Sequence, residues 1–315
     1  MKILVTGGAG FIGSHLINQL SREGHSVISV DKLSLSGKKL QKARLRDLVG
    51  DVENYTIDIT DQKKLGNLFQ SNTFDVVYHI AAKPGVRESI ENPFIYAHSN
   101  YIGTLTVLEL AKKYNVQHIL IASSSSVYGK NIKVPYSEND RVDEQISVYA
   151  CSKRSAELLA YTYCHLFNMN ITCLRFFTVY GPYGRPDMAP YIFTKNIINR
   201  KTIDVFNKGK QQRDFTFISD IIDGCIGLLE CKNGFSIVNL GNNKCVELMD
   251  FIGTIESILE IKAQKRFLSI QPGDVVKTYA DISKAKALCG YSPKVNISDG
   301  MEKFISWYKD YHKVK

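Results

Sequence analysis

No apolar run in this sequence is long enough to cross a membrane, and no two cysteines form a Cys-x-x-Cys pair. A membrane-spanning helix needs about 20 consecutive apolar residues, so we expect no membrane partner. The seven cysteines and seven histidines show none of the spacings of a zinc site or a disulfide framework, so we also expect no metal. The charged Lys2 leads directly into a predicted strand instead of a secretory leader, and we therefore expect a soluble, cytoplasmic protein.

A basic tract typical of nucleic-acid-binding proteins is missing too, although the net charge is +9. The basic residues are dispersed, and their one cluster comes with no nucleic-acid-binding motif. That cluster is formed by Lys38, Lys39, Lys42, Arg44 and Arg46. We interpret it as a solvated basic face, with attraction of an anionic ligand as the second interpretation. We expect no nucleic-acid partner.

The first residues predict a strand, a tight glycine turn and a helix. An apolar run, Ile3 to Val5, precedes glycines at 7, 10 and 13, and the amphipathic segment His15 to Leu20 follows. Gly7 favours a backbone conformation that side chains resist, Gly10 allows the main chain to approach an anion, and Gly13 allows the helix to pack on the strand. The helix N-terminus then offers unpaired N–H groups and a positive dipole end to a pyrophosphate.

A carboxylate follows at the distance that a dinucleotide-binding unit needs. The second apolar run ends in Asp31, 18 residues after Gly13, where a carboxylate accepts hydrogen bonds from the ribose hydroxyls. Because this carboxylate would repel a 2′-phosphate, the sequence predicts NAD as the cofactor. The neighbouring Lys32 leaves NADP as the alternative.

Strands and helices alternate up to residue 178, which predicts a Rossmann-type, doubly wound parallel sheet covered by helices on both faces. The predicted strands after Asp31 cover 54–59, 74–80, 117–122 and 171–176, and the predicted helices cover 62–69, 96–114 and 148–167. Shorter strands (203–206, 213–217, 236–240) and further helices (220–230, 248–259, 299–311) follow. We therefore expect an α/β protein with a cofactor-binding domain at residues 1–178 and a smaller mixed α/β substrate domain, partly interleaved with it, at residues 179–315.

Tyr149 and Lys153 stand four residues apart, on one face of a predicted helix. A free tyrosine has a pKa of about 10 and is a poor base at neutral pH. A neighbouring ammonium group and a positive nicotinamide ring both favour the phenolate, and Lys153 can also hold the nicotinamide ribose. Such a pair occurs on many amphipathic helices, but together with the glycine turn it predicts a catalytic tyrosine and lysine.

Four consecutive serines, Ser123 to Ser126, follow the fifth predicted strand. Hydroxyl groups both donate and accept hydrogen bonds, which fits a polyhydroxylated ligand. A polar loop or a helix cap explains the run less well, because ligands of parallel sheets sit at the carboxyl ends of the strands. We predict Ser124 as the third catalytic residue.

With these motifs in place, essentially the whole chain resembles the NAD-dependent nucleotide-sugar epimerase/dehydratase family, within the extended short-chain dehydrogenases/reductases. Within that family it is most similar to the UDP-glucuronate 4-epimerases. The segments that carry this similarity are 82–87, 123–129, 174–182, 184–188, 204–207, 213–216 and 271–275. Lys83 is a departure, because those enzymes often carry Gln at this position.

The resemblance implies which residues meet each ligand. The implied cofactor-binding residues are Gly7, Gly10, Phe11, Ile12, Gly13, Asp31, Asp58, Ile59, Ala81, Ala82, Lys83, Asn100, Tyr149, Lys153 and Phe176. The implied substrate-binding residues are Arg87, Ser124, Ser125, Ser126, Thr178, Arg185, Val205, Phe206, Arg213 and Asp274. In these enzymes the adenine lies between the equivalents of Asp58 and Ile59, the uracil is bordered by those of Val205 and Phe206, and the diphosphate is met by that of Arg213.

The implied reaction is the inversion of C4 of a UDP-sugar, most of all the conversion of UDP-glucuronate to UDP-galacturonate through a 4-keto intermediate. Ser125 and Ser126 stand where related 4,6-dehydratases carry Asp-Glu, and decarboxylases carry Glu at the second of these positions, so elimination and decarboxylation are disfavoured. UDP-glucose or UDP-N-acetylglucosamine 4-epimerisation is the alternative. A non-catalytic NAD-binding regulator is more remote, because the catalytic residues are intact.

The resemblance also implies a homodimer and a role in carbohydrate metabolism, such as polysaccharide biosynthesis. Family members commonly pair through a four-helix bundle, and the helices predicted at 96–114 and 148–167 have apolar residues on more than one face. Those residues include Leu105, Leu108, Leu158, Leu159, Tyr161 and Leu166. Packing in the core would produce a similar pattern.

Overall fold

The computed structural model describes residues 1–33, 38–271 and 275–314, in which strands and helices alternate. The strands are β1 (Lys2–Thr6), β2 (Ser26–Asp31), β3 (Glu53–Thr56), β4 (Val76–His79), β5 (His118–Ser124), β6 (Ile171–Phe176), β7 (Thr178–Tyr180), β8 (Ile203–Val205), β9 (Gln212–Arg213), β10 (Phe215–Phe217), β11 (Phe235–Leu240), β12 (Val246–Glu247) and β13 (Lys265–Phe267). The helices are α1 (Phe11–Arg22), α2 (Lys38–Arg46), α3 (Gln62–Gln70), α4 (Val86–Glu91), α5 (Pro93–Tyr96), α6 (Gly103–Lys113), α7 (Val148–Phe167), α8 (Ala189–Ile198), α9 (Ile218–Gly227), α10 (Leu248–Leu259), α11 (Ser283–Cys289) and α12 (Ile297–His312). A π-helical turn, Ala97–Ile102, joins α5 to α6.

A seven-stranded sheet in the order β11-β6-β5-β4-β1-β2-β3 forms the centre of the fold. All neighbouring strands in it are parallel. Strands β4, β5 and β6 are buried along their whole length, as helices on both faces of a parallel sheet require. The strand order reverses between β1 and β4, and the crevice at the carboxyl ends there is the usual ligand site of such sheets. The predicted Rossmann-type α/β fold is confirmed.

The two faces of the sheet enter two different hydrophobic cores. Along β1, Ile3 and Val5 pack into one core and Leu4 into the other, because side chains alternate across a strand. The core that contains Ile3 continues into the carboxyl-terminal part of the chain, where it includes Phe251 and Phe304. The two parts of the chain therefore share one core on this side of the sheet.

Strand β11 lies far beyond residue 178 in sequence, yet it completes the sheet beside β6. The other strands of the carboxyl-terminal part form small two-stranded ladders, β10-β7, β12-β9 and β13-β8. The division into domains at residue 178 stays a prediction, and β11 is the element that crosses it.

The buried Asp214 fixes three of these carboxyl-terminal segments together. Its Oδ1 accepts hydrogen bonds from the Asn242 main chain at 2.7 Å and from Thr216 Oγ1 at 2.9 Å. Its Oδ2 accepts one from the Ala280 main chain at 3.1 Å. Burial raises the pKa of Asp214 to about 6, although these bonds lower it. These hydrogen bonds fix the main chain next to Arg213.

Helices α2, α4, α8 and α11 were not predicted from the sequence. They are short, and α2 is so polar that its apolar periodicity is weak. The helix predicted at 96–114 consists of the π-helical turn followed by α6. Strand β5 extends to Ser124, so the first two serines of the run lie in the sheet itself.

Candidate active site

The glycine turn between β1 and α1 is packed too closely for side chains at each of its four glycines, Gly7, Gly8, Gly10 and Gly13. Gly7 has a φ of +76°, and a Cβ there would lie 2.7 Å from the Ala81 nitrogen. A Cβ on Gly13 would overlap the Gly7 carbonyl oxygen. The Gly7 nitrogen donates to the Val30 carbonyl at 2.7 Å, which fixes the turn to β2. The turn is therefore held close to the neighbouring strands at the carboxyl edge of the sheet.

The first turn of α1 offers N–H groups of the kind that bind phosphate. Gly10 is the N-cap residue and has no side chain to satisfy them. Of the two predicted residues that follow, Phe11 is 8% exposed and its side chain packs into the core, while Ile12 is partly buried. We therefore expect Phe11 and Ile12 to contact a cofactor through their main-chain N–H groups, and this contact stays a prediction.

Asp31 ends β2 and faces the glycine turn. Its Oδ2 accepts a hydrogen bond from the Ala9 nitrogen at 3.2 Å, and its Oδ1 accepts one from the Leu33 nitrogen at 2.9 Å. Burial raises the pKa of this carboxyl, and the two bonds counteract the effect. A carboxylate oriented in this way retains acceptor capacity for ribose hydroxyls.

Arg44 was missed as a residue of the site. It is 7% exposed, and its guanidinium donates to the Ala9 carbonyl at 3.1 Å and to the Tyr183 carbonyl at 2.7 Å. Burial lowers the pKa of Arg44 to about 10. The interpretation of residues 38–46 as a solvated face is wrong for this residue. The burial of Arg44 could have been inferred from its spacing of four residues from Leu40, which shares the buried face of α2.

The predicted adenine residues lie at the end of β3. Asp58 accepts hydrogen bonds from Thr60 and lies 3.3 Å from the Lys32 ammonium. Although burial raises the pKa of Asp58, these interactions bring it below the usual value. The Ile59 side chain packs into the core against Gly103, which leaves its main chain for the adenine.

Asn100 connects the predicted cofactor segment 81–83 to the catalytic helix. Its Oδ1 accepts from the Lys83 nitrogen at 2.7 Å, and its Nδ2 donates to the Lys83 carbonyl at 3.1 Å and to Ser152 Oγ at 2.9 Å. The Ala81 nitrogen is bonded to Thr6 Oγ1 at 3.3 Å. Hydrogen bonds to its main chain therefore fix the segment 81–83, which includes Ala82. The Lys83 ammonium forms an ion pair with Glu88 at 2.7 Å.

Ser124, Tyr149 and Lys153 come together at the carboxyl end of β5. Ser147 caps α7 by accepting from the Ala150 nitrogen at 3.1 Å, which fixes where Tyr149 emerges. Lys153 is 6% exposed and donates to the Ala122 carbonyl at 2.7 Å. Burial lowers the pKa of Lys153 to about 8. The predicted trio is thus adjacent in space, at the same sheet edge as the glycine turn.

Two opposing influences act on the Tyr149 phenol. Burial raises its pKa above the usual value, and hydrogen bonding with Ser124 and the positive charge of Arg185 offset only part of this rise. Phe176 is the register neighbour of Ser124 on β6 and is 7% exposed. The Ser124 hydroxyl and the Tyr149 phenol therefore meet at the edge of the sheet, beside the strand that carries Phe176.

A buried ion pair beneath the trio was also missed. Glu157 binds Arg175 through two bonds, Nε to Oε1 at 2.8 Å and Nη2 to Oε2 at 2.9 Å. It also accepts from Ser123 Oγ at 2.6 Å, and its charge raises the pKa of Lys153 against the effect of burial. Glu157 follows Lys153 by four residues on the same face of α7, a spacing that is visible in the sequence.

The predicted sugar-binding residues come from segments that are distant in sequence. The Arg87 guanidinium lies over the Phe206 ring, 4.9 Å from its centroid, and Arg185 is paired with Asp187. Thr178 begins β7, where its nitrogen is bonded to the Asp214 carbonyl at 3.1 Å. Ser125 and Ser126 form a 3-10 turn capped by the Ser124 side chain.

Three predicted substrate-binding residues remain, namely Arg213, Val205 and Asp274. Arg213 donates to the carbonyls of Gln212 and Val276, at 3.0 and 3.1 Å. The Val205 side chain is fully buried, so only its main chain could border a uracil. Asp274 lies outside the described residues. The roles of these residues stay predictions.

In the described part of the chain, no helix is long and apolar enough to cross a membrane. Among the same residues, no group of three or more His, Cys, Asp or Glu side chains is arranged to hold a metal ion. The seven cysteines are free thiols.

The NAD dependent epimerase/dehydratase family matches residues 3–241. The chain belongs to this family. The chain is 42% identical to UDP-glucuronate 4-epimerase 2 of Arabidopsis thaliana, over 99% of this chain and 77% of that protein. The resemblance inferred from the sequence motifs is confirmed.

Two solved structures from this family have the same fold along their whole length. UDP-glucuronic acid 4-epimerase of Bacillus cereus, solved with UDP-glucuronic acid and NAD, gives a TM-score of 0.92 at 37% identity, covering 99% of this chain and 100% of that one. UDP-glucose 4-epimerase of Thermotoga maritima, solved with UDP-glucose, gives the same TM-score and coverage at 30% identity. The fold is therefore common to relatives with different sugars.

Proposed function

We propose that this protein is an NAD-dependent epimerase that interconverts UDP-glucuronate and UDP-galacturonate at C4 of the sugar. The observation that supports it most is the meeting of Ser124, Tyr149 and Lys153 at the sheet edge that carries the glycine turn. The identity to UDP-glucuronate 4-epimerases, 42% and 37%, exceeds the 30% identity to the UDP-glucose enzyme. This difference favours the uronate as substrate.

The residues of the glycine turn fit NAD. The tight packing around Gly7 and Gly13 excludes side chains from the turn, the first turn of α1 meets the pyrophosphate, and Asp31 accepts from a ribose. When bound, NAD accepts a hydride from the sugar and returns it, so the cycle has no net oxidation.

Tyr149 moves the proton in this mechanism. Its phenolate oxygen takes the proton of the C4 hydroxyl and later gives it back to the new hydroxyl on the opposite face of the sugar. Ser124 holds the same oxygen by a hydrogen bond. The ammonium of Lys153 is charged below a pH of about 8, where it stabilises the phenolate.

The uronate carboxylate must also be held, because the 4-keto intermediate is a β-keto acid that loses carbon dioxide easily. Decarboxylation requires the breaking bond to align with the carbonyl. We assign Ser125, Ser126, Thr178 and Arg185 to fixing the carboxylate in another orientation. All four are near the carboxyl ends of β5 and β6, and the charge of Arg185 acts on Tyr149.

A direct test offers UDP-glucuronate, UDP-glucose and UDP-N-acetylglucosamine to the purified protein and identifies the products by NMR. We expect UDP-galacturonate from the first and little turnover of the others. Tyr149→Phe should lose about 1,000-fold in kcat, as expected for loss of the acid-base residue. Turnover of UDP-glucose alone would favour the alternative substrate, for which the equal TM-score is the supporting observation.

We also propose that the protein is a homodimer that pairs through helices α4 to α7. The support is a set of exposed apolar side chains on these helices, among which Phe94 is 86% exposed. The set is Ile90, Phe94, Ile95, Tyr101, Ile102, Leu158, Tyr161 and Leu166. Leu108, which the sequence analysis named among the apolar residues of these helices, is fully buried and belongs to the core. Exposed apolar faces of this kind mark interaction sites.

Light scattering of Phe94→Lys tests this dimer. We expect a monomer from this variant and a dimer from Ile132→Lys, which changes a 95% exposed side chain on a loop away from these helices. A dimer from both variants would contradict the assignment. We further propose a cytoplasmic role in supplying uronic acids for polysaccharide biosynthesis, which the seven free thiols and the activated form of the sugar support.

A further inference from the structure

Two ion pairs of the described chain lie beside the catalytic tyrosine. Arg185 binds Asp187 through Nε to Oδ1 at 3.0 Å and Nη2 to Oδ2 at 2.5 Å. The Lys83 ammonium lies 2.7 Å from Oε1 of Glu88. We refer to these four side chains as the charge cluster. The guanidinium assigned to the uronate carboxylate is therefore already bound to a carboxylate of the protein.

The two ion pairs are close to each other because both adjoin the main chain at Gly85. A Cβ on Gly85 would lie 3.7 Å from Nη2 of Arg185 and 3.9 Å from the Cβ of Glu88. Although burial raises the pKa of Asp187, the hydrogen bond and charge of Arg185 and the charge of Lys83 hold it below the usual value. Lys83 is therefore the second cation within electrostatic reach of Asp187.

Tyr96 connects the charge cluster to the catalytic tyrosine. Its hydroxyl donates to the Pro84 carbonyl at 2.8 Å, and its ring meets the Tyr149 ring edge to face at 6.2 Å between centroids. The charges of Glu88 and Arg185 both act on its pKa. The cluster is therefore one aromatic ring away from the phenol that removes the sugar proton.

A partly exposed ion pair exchanges partners more readily than a buried one, because water solvates the groups when it opens. Asp187 is the more exposed partner, at 62% against 29% for Arg185, so its carboxylate is the group that can leave. A second carboxylate at Arg185 would repel Asp187. The cluster is neutral with two cations and two carboxylates, and a bound uronate adds one more negative charge to it. Lys83 is the group that limits this repulsion.

We propose that Asp187 occupies Arg185 in the ligand-free protein and moves to Lys83 when a uronate carboxylate takes its place. The proposal rests on the proposed function, since it needs Arg185 to bind the uronate. Asp187 and Lys83 are then specificity residues that set the affinity for the carboxylate, and neither touches the reacting atoms. A neutral sugar supplies no carboxylate and leaves the Arg185–Asp187 pair in place.

Calorimetric binding of UDP-glucuronate, UDP-glucose and UDP to the holoenzyme tests this exchange. Asp187→Asn should bind UDP-glucuronate about threefold to tenfold more tightly, as expected for removal of one competing exposed carboxylate. Lys83→Gln should bind it more weakly by a similar factor. The affinities for UDP-glucose and UDP should change less than about twofold, because neither brings a carboxylate. KM for UDP-glucuronate should follow the uronate affinity.

The double variant separates exchange from general electrostatics. In an Asp187→Asn background, Lys83→Gln should change uronate affinity much less than it does alone, because no carboxylate remains to be received. Asp143→Asn is the matched control, since Arg141 and Asp143 form a pair of the same spacing at 2.5 Å on an exposed loop. It should leave all three affinities unchanged.

Two results would overturn the proposal: an unchanged uronate affinity in Asp187→Asn, or a Lys83 effect that is equally large in both backgrounds. Either result, combined with normal turnover of UDP-glucuronate, leaves the proposed function intact. A wild-type protein that does not epimerise UDP-glucuronate contradicts the proposed function instead. The calorimetric comparison then still decides whether Asp187 competes for Arg185.

Discussion

The cofactor edge and the sugar edge of the site are built in different ways. The cofactor edge, made by Gly7, Gly13, Asp31 and Asn100, consists of close main-chain packing and hydrogen bonds to main-chain groups. The sugar edge, made by Arg87, Arg185 and Phe206, consists of partly exposed side chains whose charges are matched by neighbouring groups. The first is held together by the protein's own main chain, whereas the second changes partners under the proposed exchange of Asp187.

This difference agrees with the demands of the proposed reaction. NAD is regenerated in each cycle and has no need to leave, so a closely packed cradle is an advantage. The sugar must enter, turn over at the 4-keto stage and leave, so weak and exchangeable contacts are required. Changes at the cofactor edge should therefore affect NAD retention, and changes at the sugar edge should affect KM.

After Tyr149→Phe, Lys153→Met should have the largest effect on activity, and it should have the opposite effect on stability. We expect kcat to fall about 100-fold or more, because the phenolate loses its neighbouring ammonium. At pH 7 the apoprotein should gain about 2 kcal/mol in the free energy of unfolding, since the folded state no longer buries a charge whose pKa is lowered from 10.5 to about 8. The lost bond to Ala122 offsets part of this gain.

The sign of this stability change depends on pH. Below pH 8, Lys153 is charged in both the folded and the unfolded state, and the wild type carries the full cost of burial. Between pH 8 and 10.5 the folded state releases the proton first, so the wild type recovers stability and the advantage of Lys153→Met shrinks. Urea unfolding at pH 7 and pH 10 measures the difference in unfolding free energy between Lys153→Met and the wild type. A constant difference between the two pH values would contradict a buried ammonium.

Gly13→Ala should break the cofactor edge alone. The added methyl would overlap the Gly7 carbonyl oxygen, and relief of such overpacking typically costs about 1–3 kcal/mol. We expect the purified variant to retain little NAD and to recover activity in part when NAD is added in excess. Gly253→Ala is the control, because a Cβ there meets nothing within 4 Å. Full NAD retention in Gly13→Ala would show that the turn is not the cofactor cradle.

Arg87→Ala should have the smallest effect and should be confined to the sugar edge. Loss of the guanidinium over Phe206 removes an interaction of the kind that contributes about 1 kcal/mol. We expect KM for UDP-glucuronate to rise a few-fold, with unchanged kcat and bound NAD. The NAD content, read from absorbance after denaturation, is the discriminating measurement. A loss of NAD in this variant would mean that the two edges are not independent.

Much of the cofactor edge could be predicted because the residues of each of its motifs lie close together in the sequence. The glycine turn, Asp31 and the Tyr149–Lys153 pair each depend on spacing within one strand, turn or helix, and local geometry fixes such spacing. Arg44 was misjudged because its partners, Ala9 and Tyr183, lie 35 and 139 residues away. Its four-residue spacing from Leu40 was the only local indication of burial, and it is weak in a segment that is otherwise basic.

The sequence by itself determined the fold class, the family and the positions of the catalytic trio, because periodicity and motif spacing are properties of the chain. Only the tertiary structure decided that β11 completes the sheet, that Arg44 is buried and that Arg185 is paired with Asp187 beside Lys83 and Glu88. The physical reason is that burial and charge pairing depend on which distant segments meet. Such meetings leave no periodic pattern in either segment.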